Sequence, residues 1–538
     1  MSFLKVERKS SGTYLRILES YRNKQGKPSS RVLYSVGKVE DYSPEQLRRM
    51  GIRLYELGGG EVKALLKGQI EEIARYNYGY KQVYSKALQH YRLDKILNHI
   101  ARKGKVQFDL LNSVMLMLME RLHDPCSKRS NWLNQQEYLG IEGVELHHLY
   151  RSLDQLAVNS DRIQQQIFHC GRDLFNQKLD VVFYDVTTLY FDSQVKQPDA
   201  LRQLGFSKDG KIGNTQILLC MMIDAQSNPV GYRIFKGNTF EGHTFEKALD
   251  DLKTRYDIDK IIIVADRGML SKQNITLTKA KGYEFILGER LKSLPHHLQK
   301  QLLDVNAFEH SWIYTHGNDQ EIKVRYTTVT QADQTIIVTY SQKRADKDRH
   351  EREEKIKTAE ALLKNPSLIN KKSARYFLKN TGKQSYQLDE QKIKQSEKYD
   401  GLLAISTNNQ TLTHTQILDQ YKQLYKIEHT FRTFKSHLET RPMFHWTDKR
   451  IQGHICLCYI AYTLLNFVLQ KVNDEKKVIT QNSLRAILDQ MQLSLIKHNV
   501  EQVYIRSKPA ADQSLIQQKL GLKQLPPLFT VDQLNKYL

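Results

Sequence analysis

Cysteine is scarce in this sequence: five are present among 538 residues, and no two of them form a C-x-x-C pair. A zinc ribbon needs such pairs and a disulfide framework needs an even, denser set, so neither is expected. The first residues, MSFLKVERKSSGTYLRI, also lack the apolar segment of a secretory signal. These absences predict a protein of the reducing cytoplasm.

Long uncharged runs are also rare, and one stretch, 451–470 (IQGHICLCYIAYTLLNFVLQ), needs comparison with a membrane span. A spanning helix needs about 20 predominantly apolar residues, and this stretch has that length. It also contains the polar residues Gln452, His454, Thr463 and Asn466. We therefore predict a buried core helix and no membrane partner, with a membrane span as the alternative.

Acidic residues are outnumbered: Lys and Arg total 81 and Asp and Glu total 59, a formal charge of +22. Such a surplus favours a polyanionic partner, most simply nucleic acid. Ribosomal proteins and proteins of membrane surfaces share this property. The charge therefore predicts a polyanionic partner but does not identify which polyanion it is.

The residue pattern changes several times along the chain. Alternating polar and apolar residues at the start predict strands, and helical spacing follows in a basic region that we interpret as DNA-binding, with a plain helical bundle as the alternative. From Asp180 onward the order β-β-β-α-β-α-β indicates an α/β core. The predicted parts are a small β-rich unit (1–45), a helical region (46–175), the core (176–289 and 413–475), a mixed insertion (290–412) and a helical tail (476–538).

Two carboxylates stand where strands are predicted. Asp185 lies inside VVFYDVTTLYF, and Asp266 ends the apolar run IIIVAD. For either residue alone, a structural hydrogen-bonding role is the simpler explanation, because a buried carboxylate needs partners. Together they indicate more, because the first and fourth strands of this order can be neighbours. Two adjacent carboxylates repel, and a divalent cation such as magnesium or manganese relieves the repulsion.

The segment YKQLYKIEHTFRTFK can supply a third carboxylate. Tyr421, Glu428 and Lys435 stand seven residues apart, so one continuous helix would place them on nearly one line. An apolar seam runs beside Glu428, which places this glutamate at the margin of the buried face. A solvated charged face, or an ion pair of Glu428 with Arg432, is the alternative.

In this order and spacing the residues resemble the DDE transposases of bacterial insertion sequences, which have a ribonuclease H-like core. More narrowly, they resemble the insertion-sequence-four-like group, with its signature Y-(2)-R-(3)-E-(6)-K. Tyr421, Glu428 and Lys435 match that signature, whereas Leu424 occupies its arginine position. Further matching stretches are GFSKDGK (205–211), GNTFEGHTF (237–245), ADRGMLSKQN (265–274) and RPMFHW (441–446).

The resemblance implies a mixed five-stranded sheet with flanking helices, an insertion before the glutamate helix, and helical regions toward both ends. It implies that Asp185, Asp266 and Glu428 are catalytic and hold two Mg²⁺ ions, with Mn²⁺ as a substitute. The implied reaction is DNA cleavage at the ends of the element, followed by strand transfer into target DNA. The implied assembly is a homodimer in a synaptic complex, in the cytoplasm at the nucleoid.

Contacts to DNA are expected from seven side chains. The resemblance implies phosphate contacts for two members of the signature, and the others are cations or an aromatic residue near the matching stretches. A core salt bridge, a solvated turn or a core tryptophan is the alternative for these others. The expected DNA-binding residues are Tyr421, Lys435, Arg432, Arg267, Lys208, Lys211 and Trp446.

Two other functions fit the same residues. A ribonuclease H-like resolvase or repair nuclease would share the metal site and lack strand transfer. A DNA-binding regulator derived from an inactive transposase is the second alternative. The intact carboxylates argue against the regulator, whereas Leu424 at the arginine position leaves room for it.

Overall fold

The structure is a computed structural model that describes residues 2–58, 70–171, 181–195, 198–206, 213–258, 260–269, 271–316, 320–364, 376–382, 385–498 and 501–536. The chain forms two compact units. The smaller consists of Met1–Arg75, Leu493–Ser507 and Leu525–Tyr537, and the larger is made mainly of Tyr76–Gln492 with Lys508–Gln524.

The beginning of the chain is a β-rich unit, as predicted. Strands β1, β2 and β3 form an antiparallel sheet in that order. The helix that follows begins at a capping box in which the Ser43 side chain accepts a hydrogen bond from the Gln46 backbone. The elements are β1 (Ser2–Lys9), β2 (Gly12–Arg22), β3 (Pro28–Lys38), α1 (Pro44–Leu57) and β4 (Ile70–Asn77).

Helices dominate the next region, which agrees with the sequence apart from the strand β4. The most apolar of them, α4, is buried along nearly its whole length. The helices are α2 (Gly79–His90), α3 (Leu93–Lys103), α4 (Leu110–His123), α5 (Lys128–Asn134), α6 (Leu146–Val158) and α7 (Ser160–Gly171).

The predicted core order of strands and helices is present. Strand β5 pairs antiparallel with β7 on one side and parallel with β9 on the other, so the first and fourth core strands are neighbours as expected. The elements are β5 (Val181–Tyr190), a two-residue β6 (Gln203–Leu204), β7 (Thr215–Ile223), β8 (Pro229–Lys236), α8 (Thr244–Thr254), β9 (Ile262–Ala265), α9 (Lys272–Ala280) and β10 (Glu284–Glu289).

The prediction of a five-stranded sheet is wrong, because the structure has a mixed sheet of ten strands. The insertion is strand-rich at its ends, as expected, and four of its strands continue the core sheet beyond β10. The pairing of β16 with β10 covers an edge that would otherwise expose unpaired backbone groups. The elements are α10 (His296–Leu302), β11 (His310–His316), β12 (Gln320–Gln331), β13 (Gln334–Tyr340), α11 (Gln342–Leu363), β14 (Leu378–Gly382), β15 (Ser385–Leu388), α12 (Glu390–Glu397) and β16 (Leu402–Thr407).

The expected continuous helix from Thr413 onward is divided into three pieces: α13 (His414–Lys422), α14 (Tyr425–Arg432) and a π-helical turn (Thr433–His437). Around residue 424 the backbone forms shorter i to i−3 hydrogen bonds, and at residue 438 it forms an i to i−5 bond. Both changes alter the angle per residue about the helix axis, so the side chains that follow point in other directions than they would on a regular α-helix. The prediction that three side chains seven residues apart share one line is therefore wrong.

The uncharged stretch forms the core helix α15 (Asp448–Val472), as predicted. Its length and composition would suffice for a membrane span, but most of its apolar window is buried inside the protein. It packs against α2, α4 and α6. The approach to α6 is so close that a Cβ on Gly453 would lie 2.0 Å from the Leu153 carbonyl oxygen.

The prediction of a helical tail is wrong in part, because strands alternate with helices there. Alternating apolar residues in QLSLIKH and EQVYIR favour strands, and these pair with β4 and with each other in a four-stranded sheet. The elements are α16 (Gln481–Asp489), β17 (Gln492–His498), β18 (Glu501–Arg506), α17 (Ala511–Lys519) and β19 (Leu528–Thr530).

Candidate active site

The middle of β5 and the carboxyl end of β9 bring the two aspartates together. The parallel pairing ends with Tyr184 beside Ala265, so Asp185 in β5 and Asp266 just after β9 are the next residues on the two neighbouring chains. Parallel neighbours are about 4.8 Å apart across a sheet. The Asp185 side chain accepts a hydrogen bond of 2.7 Å from the Val186 backbone, which fixes one of its carboxylate oxygens.

Glu428 faces the same space from the first turn of α14. All three carboxylates line one cleft with a volume of about 970 Å³. Asp185 is half-buried, whereas Asp266 and Glu428 are exposed to the cleft. The predicted seam explains this placement, because Ile427, Phe431 and other apolar residues of α14 and the π-helical turn are buried beside Glu428.

The carboxylates share a cleft without being tightly clustered. Within the described ranges, no three His, Cys, Asp or Glu side chains lie close enough together to hold a metal ion as they stand. The chemistry of the set nevertheless fits a hard divalent cation, because all three donors are carboxylate oxygens.

Tyr421 lies at the floor of the cleft, near both Asp266 and Glu428. Burial raises the pKa of its phenol well above the ordinary value, and the negative charge of Asp266 adds to the effect. The phenol therefore stays protonated at any physiological pH. Its hydroxyl oxygen lies so close to the backbone of Gly288 that a Cβ at this position would collide with it, so a glycine leaves room for the phenol.

Cations surround the carboxylates. Arg267, expected from the sequence, lines the cleft and is exposed. The structure adds further cations from the segment after β10, from α11 and from α13, which the sequence did not single out. These are Arg290, Lys292, Arg344 and Lys422.

Glu289, at the end of β10, is a fourth carboxylate near this edge of the sheet that was not foreseen. Burial raises its pKa, while a hydrogen bond from the Arg290 backbone opposes that effect. The sequence did carry a signal, because YEFILGE ends an apolar run with a carboxylate in the way that IIIVAD does.

The insertion forms one wall of the cleft. The Trp312 indole N–H donates a hydrogen bond of 2.9 Å to Asp419 on α13. The Lys422 ammonium lies 3.6 Å from the centre of the Tyr314 ring and donates to the Thr315 carbonyl. These contacts join β11 to the helix that precedes Glu428.

The other residues that we expected to bind DNA are not found among the described residues that line this cleft. Among the described residues that line the cleft, Lys435 and Arg432 do not occur: Arg432 is the last residue of α14, and Lys435 lies in the π-helical turn that follows it. Leu424, at the signature's arginine position, does line the cleft. Trp446 lines a separate cavity. Lys208 and Lys211 lie outside the described residues.

The family comparison agrees with this geometry. A family profile described as "Transposase DDE domain" matches residues 176–464, more than half of the chain. The match includes β5, β9 and α14, the elements that carry the three carboxylates. The chain therefore belongs to the DDE transposases, and the class predicted from the sequence is confirmed.

A second profile narrows this assignment. The profile "IS1634 family transposase, N-terminal domain" matches residues 4–69, which include the β1–β3 sheet. No curated protein matches the chain. Among solved structures, it is similar to a cryo-EM structure of a piggyBac transposase synaptic complex with hairpin DNA, at 9% identity and a TM-score of 0.38, covering 83% of this chain and 82% of that one. At so low a TM-score and sequence identity, this similarity supports no conclusion about the site.

Family membership establishes the activity. The protein is an enzyme of DNA transposition, which cleaves DNA and transfers a strand in reactions that depend on a divalent metal. DNA is accordingly its partner, as the family resemblance implied and in keeping with the polyanionic class that the charge of +22 predicted.

Proposed function

We propose that Asp185, Asp266 and Glu428 are the catalytic carboxylates and that together they hold two Mg²⁺ ions, for which Mn²⁺ can substitute. The observation that carries this proposal is the parallel register of β5 and β9, which makes the two aspartates neighbours in the cleft that Glu428 lines. When bound, the ions activate the attacking oxygen and stabilise the leaving oxygen at the phosphodiester.

The chain's own groups hold and orient the DNA around these carboxylates. Asp185 is the fixed ligand, since its strand position and its backbone hydrogen bond hold the carboxylate in place. Asp266 and Glu428 are exposed, so their side chains are free to move inward and complete the coordination. Arg267 contacts the phosphate beside Asp266, and the protonated Tyr421 hydroxyl donates to a phosphate oxygen.

The path of the DNA extends beyond the cleft. Arg290, Lys292 and Arg344 line its mouth and provide phosphate contacts. Lys435 and Arg432 lie further along the chain, Arg432 at the end of α14 and Lys435 in the π-helical turn, and we assign them to the DNA flanking the cleaved end. Lys208 and Lys211, which precede β7 in the sequence, remain proposed contacts.

The finer architecture is part of the same proposal. We assign the core to the ribonuclease H-like fold, which the antiparallel β7 and β8, the parallel β9 and β10, and the central β5 support. We assign DNA binding to the helical region 46–175 and keep the predicted domain boundaries. A homodimer holds the two ends in the synaptic complex, in the cytoplasm at the nucleoid.

The test replaces each carboxylate by its amide: Asp185→Asn, Asp266→Asn and Glu428→Gln. Each variant should lose Mg²⁺-dependent cleavage of the element's end by more than about a hundredfold, because an amide is a poor ligand for a hard cation. Binding of the end, measured in EDTA, should stay within about twofold of the unchanged protein.

Asp348→Asn is the matched control, because Asp348 lines the same cleft and pairs with Arg344. This control should keep cleavage. Normal cleavage by any of the three amide variants would remove that residue from the proposed set. A pre-cut end separates the alternatives: a nuclease without strand transfer leaves it unjoined, and an inactive regulator neither cuts nor joins.

A further inference from the structure

Helices α3 and α7 pack against each other in the larger unit. At about 100° per residue, Lys95 and Arg102 lie on the solvent side of α3, with His99 beside them. None of these three is among the described residues that line the catalytic cleft. The opposite side of α3 is buried and carries four apolar residues, Leu93, Ile96, Leu97 and Ile100.

Cations from both helices gather around His99. The positive charge of Arg162, on α7, is the largest cause that lowers the pKa of His99, followed by burial and then by Arg102 and Lys103. Charges have such an effect only when they lie near one another. The surface made of Lys95, His99, Arg102, Lys103 and Arg162 is called the α3–α7 face below.

The positive charge of the α3–α7 face is largely unneutralised. Its four Lys and Arg side chains are exposed, and none of them forms an ion pair within the described part of the chain. The sequences of α3 and α7 contain two acidic residues. Asp161 pairs with Arg255 at 2.9 Å, and Asp94 is half-buried in the first turn of α3. A surplus of positive charge therefore remains at the surface.

The charged helix α11 has a different arrangement, because its cations have acidic partners on the same helix. Exposed pairs of this kind make a solvated surface and contribute little to stability. A face of unpaired cations instead attracts a polyanion. The pairs on α11 include Lys347–Glu351, Arg349–Asp346 and Lys357–Glu354.

The dimensions of the α3–α7 face suit a DNA backbone. Lys95 and Arg102 are seven residues apart, which is about 10 Å along the axis of α3. One strand of a duplex has a phosphate about every 3.4 Å along its axis, so this length spans about three phosphates. Contacts from cations to phosphates hold DNA without reading its bases.

We propose that the α3–α7 face binds the backbone of duplex DNA independently of its sequence, at a site outside the catalytic cleft. The inference rests on the proposed function and narrows the assignment of DNA binding in the helical region to one surface. DNA for this site has two sources, the DNA that flanks the element and the target DNA. Both present the same phosphate groups.

The experiment measures binding of a blunt duplex of unrelated sequence to the full chain, in EDTA so that no cleavage occurs. The face variant combines Lys95→Gln, Arg102→Gln and Arg162→Gln, three exposed positions at which the packed core is unchanged. Its affinity for the duplex should fall at least about tenfold. The slope of log affinity against log salt should decrease by about two to three, because each phosphate contact releases about 0.9 ion.

The matched control combines Lys347→Gln, Arg349→Gln and Lys357→Gln on α11. It removes the same number of positive charges from exposed positions, and none of the three lines the cleft. Its affinity should stay within about twofold of the unchanged protein, with the same salt slope. Equal losses in the two variants would overturn the proposal, because net charge alone would then explain them.

Binding of the element's end tests independence of sequence. The face variant should lose affinity for the end and for the unrelated duplex by similar factors. A loss confined to the end would overturn the proposal. Normal DNA binding together with weaker binding to vesicles of anionic phospholipid would also overturn it and would assign the face to a membrane surface.

Two assays separate the sources of the DNA. Strand transfer of pre-cut ends into a plasmid tests target DNA, and cleavage of ends with a long or a short flank tests flanking DNA. The face variant should lose at least about fivefold in strand transfer or in the advantage of the long flank, and a loss in neither would overturn the proposal.

The proposed catalytic carboxylates are tested separately. The face variant should cleave an end with a short flank at the normal rate when protein is saturating, and the amide variants of the carboxylates should bind the unrelated duplex normally. Failure of the carboxylate assignment would therefore appear in cleavage, whereas failure of this inference would appear in duplex binding.

Discussion

The Tyr421 hydroxyl oxygen occupies the space that a side chain at Gly288 would need: a Cβ built on Gly288 would lie 2.4 Å from it. The same Cβ would lie 2.9 Å from the Arg267 backbone nitrogen. A glycine in β10 thus allows α13 to place its tyrosine beside the segment that carries Asp266. The signature tyrosine therefore lies near Asp266, whose charge contributes to the raised pKa of the phenol.

Gly288→Ala should therefore lower DNA cleavage by at least about tenfold, because the methyl group displaces Tyr421 or the Arg267 backbone and small displacements near reacting groups are costly. The measurement is the single-turnover rate of end cleavage with Mg²⁺. Gly268→Ala is the control, since a Cβ at Gly268 would meet no atom within 4 Å and this glycine stands next to Arg267. Equal rates for the two variants would contradict the role assigned to Gly288.

Glu289 should make stability depend on pH. Burial raises its pKa in the folded state, so the neutral form is favoured there. Its contribution to stability is therefore present below the unfolded pKa of about 4.3 and is lost as the pH rises through the higher folded value. Glu289→Gln should lose less stability than the unchanged protein as the pH rises from mildly acidic to neutral. Thermal unfolding in EDTA measures this difference, and parallel curves would exclude it.

Asp251 should be a strong determinant of stability away from both cavities. Its side chain is 3% exposed and pairs with Arg233 and with Arg255, whose side chain is 6% exposed. Asp251→Ala should lower the free energy of unfolding by about 3 kcal/mol, because it removes the buried carboxylate that pairs with Arg233 and leaves the buried Arg255 with only its ion pair to Asp161. Chemical denaturation measures this loss. Asp250→Ala should cost less than about 1 kcal/mol, since the Asp250 side chain is half exposed.

Gly453 should be needed for the packing of α15 on α6. Gly453→Ala places a methyl group against the Leu153 carbonyl, and overpacking of this kind costs about 1–3 kcal/mol. The expected result is a lower midpoint in chemical denaturation. Gly51→Ala in α1 meets no atom within 4 Å and should be neutral or slightly stabilising, because alanine favours a helix over glycine. A Gly453→Ala protein as stable as Gly51→Ala would contradict this packing.

Local patterns predicted much of the fold and the candidate site. The β-branched run around Asp185 and the apolar run before Asp266 identified two adjacent strands, because a strand covered on both faces needs continuous apolar residues. The apolar seam beside Glu428 identified the buried face of α14. In each case the signal depends on residues close together in the sequence.

Other features depended on contacts between distant residues. The sheet has ten strands because Ile286 pairs with Thr407 across 121 positions, a partnership that no local pattern encodes. Strand β17 was missed because it follows a helical stretch and because one of its two neighbours in the sheet, β4, is more than 400 residues earlier in the chain. Glu289 carried a local signal, but only the sheet shows that it opens into the cleft with Asp266.

The sequence by itself determined the class of the protein, the strands that carry Asp185 and Asp266 and the burial of α15, since these follow from charge, strand propensity and apolar periodicity. Tertiary structure decided which members of the Tyr421, Glu428 and Lys435 series share a cleft. Their spacing suits a continuous helix, but the bonding around Leu424 and the π-helical turn changes the rotation of the chain. Tyr421 and Glu428 therefore face Asp266, and Lys435 does not line that cleft.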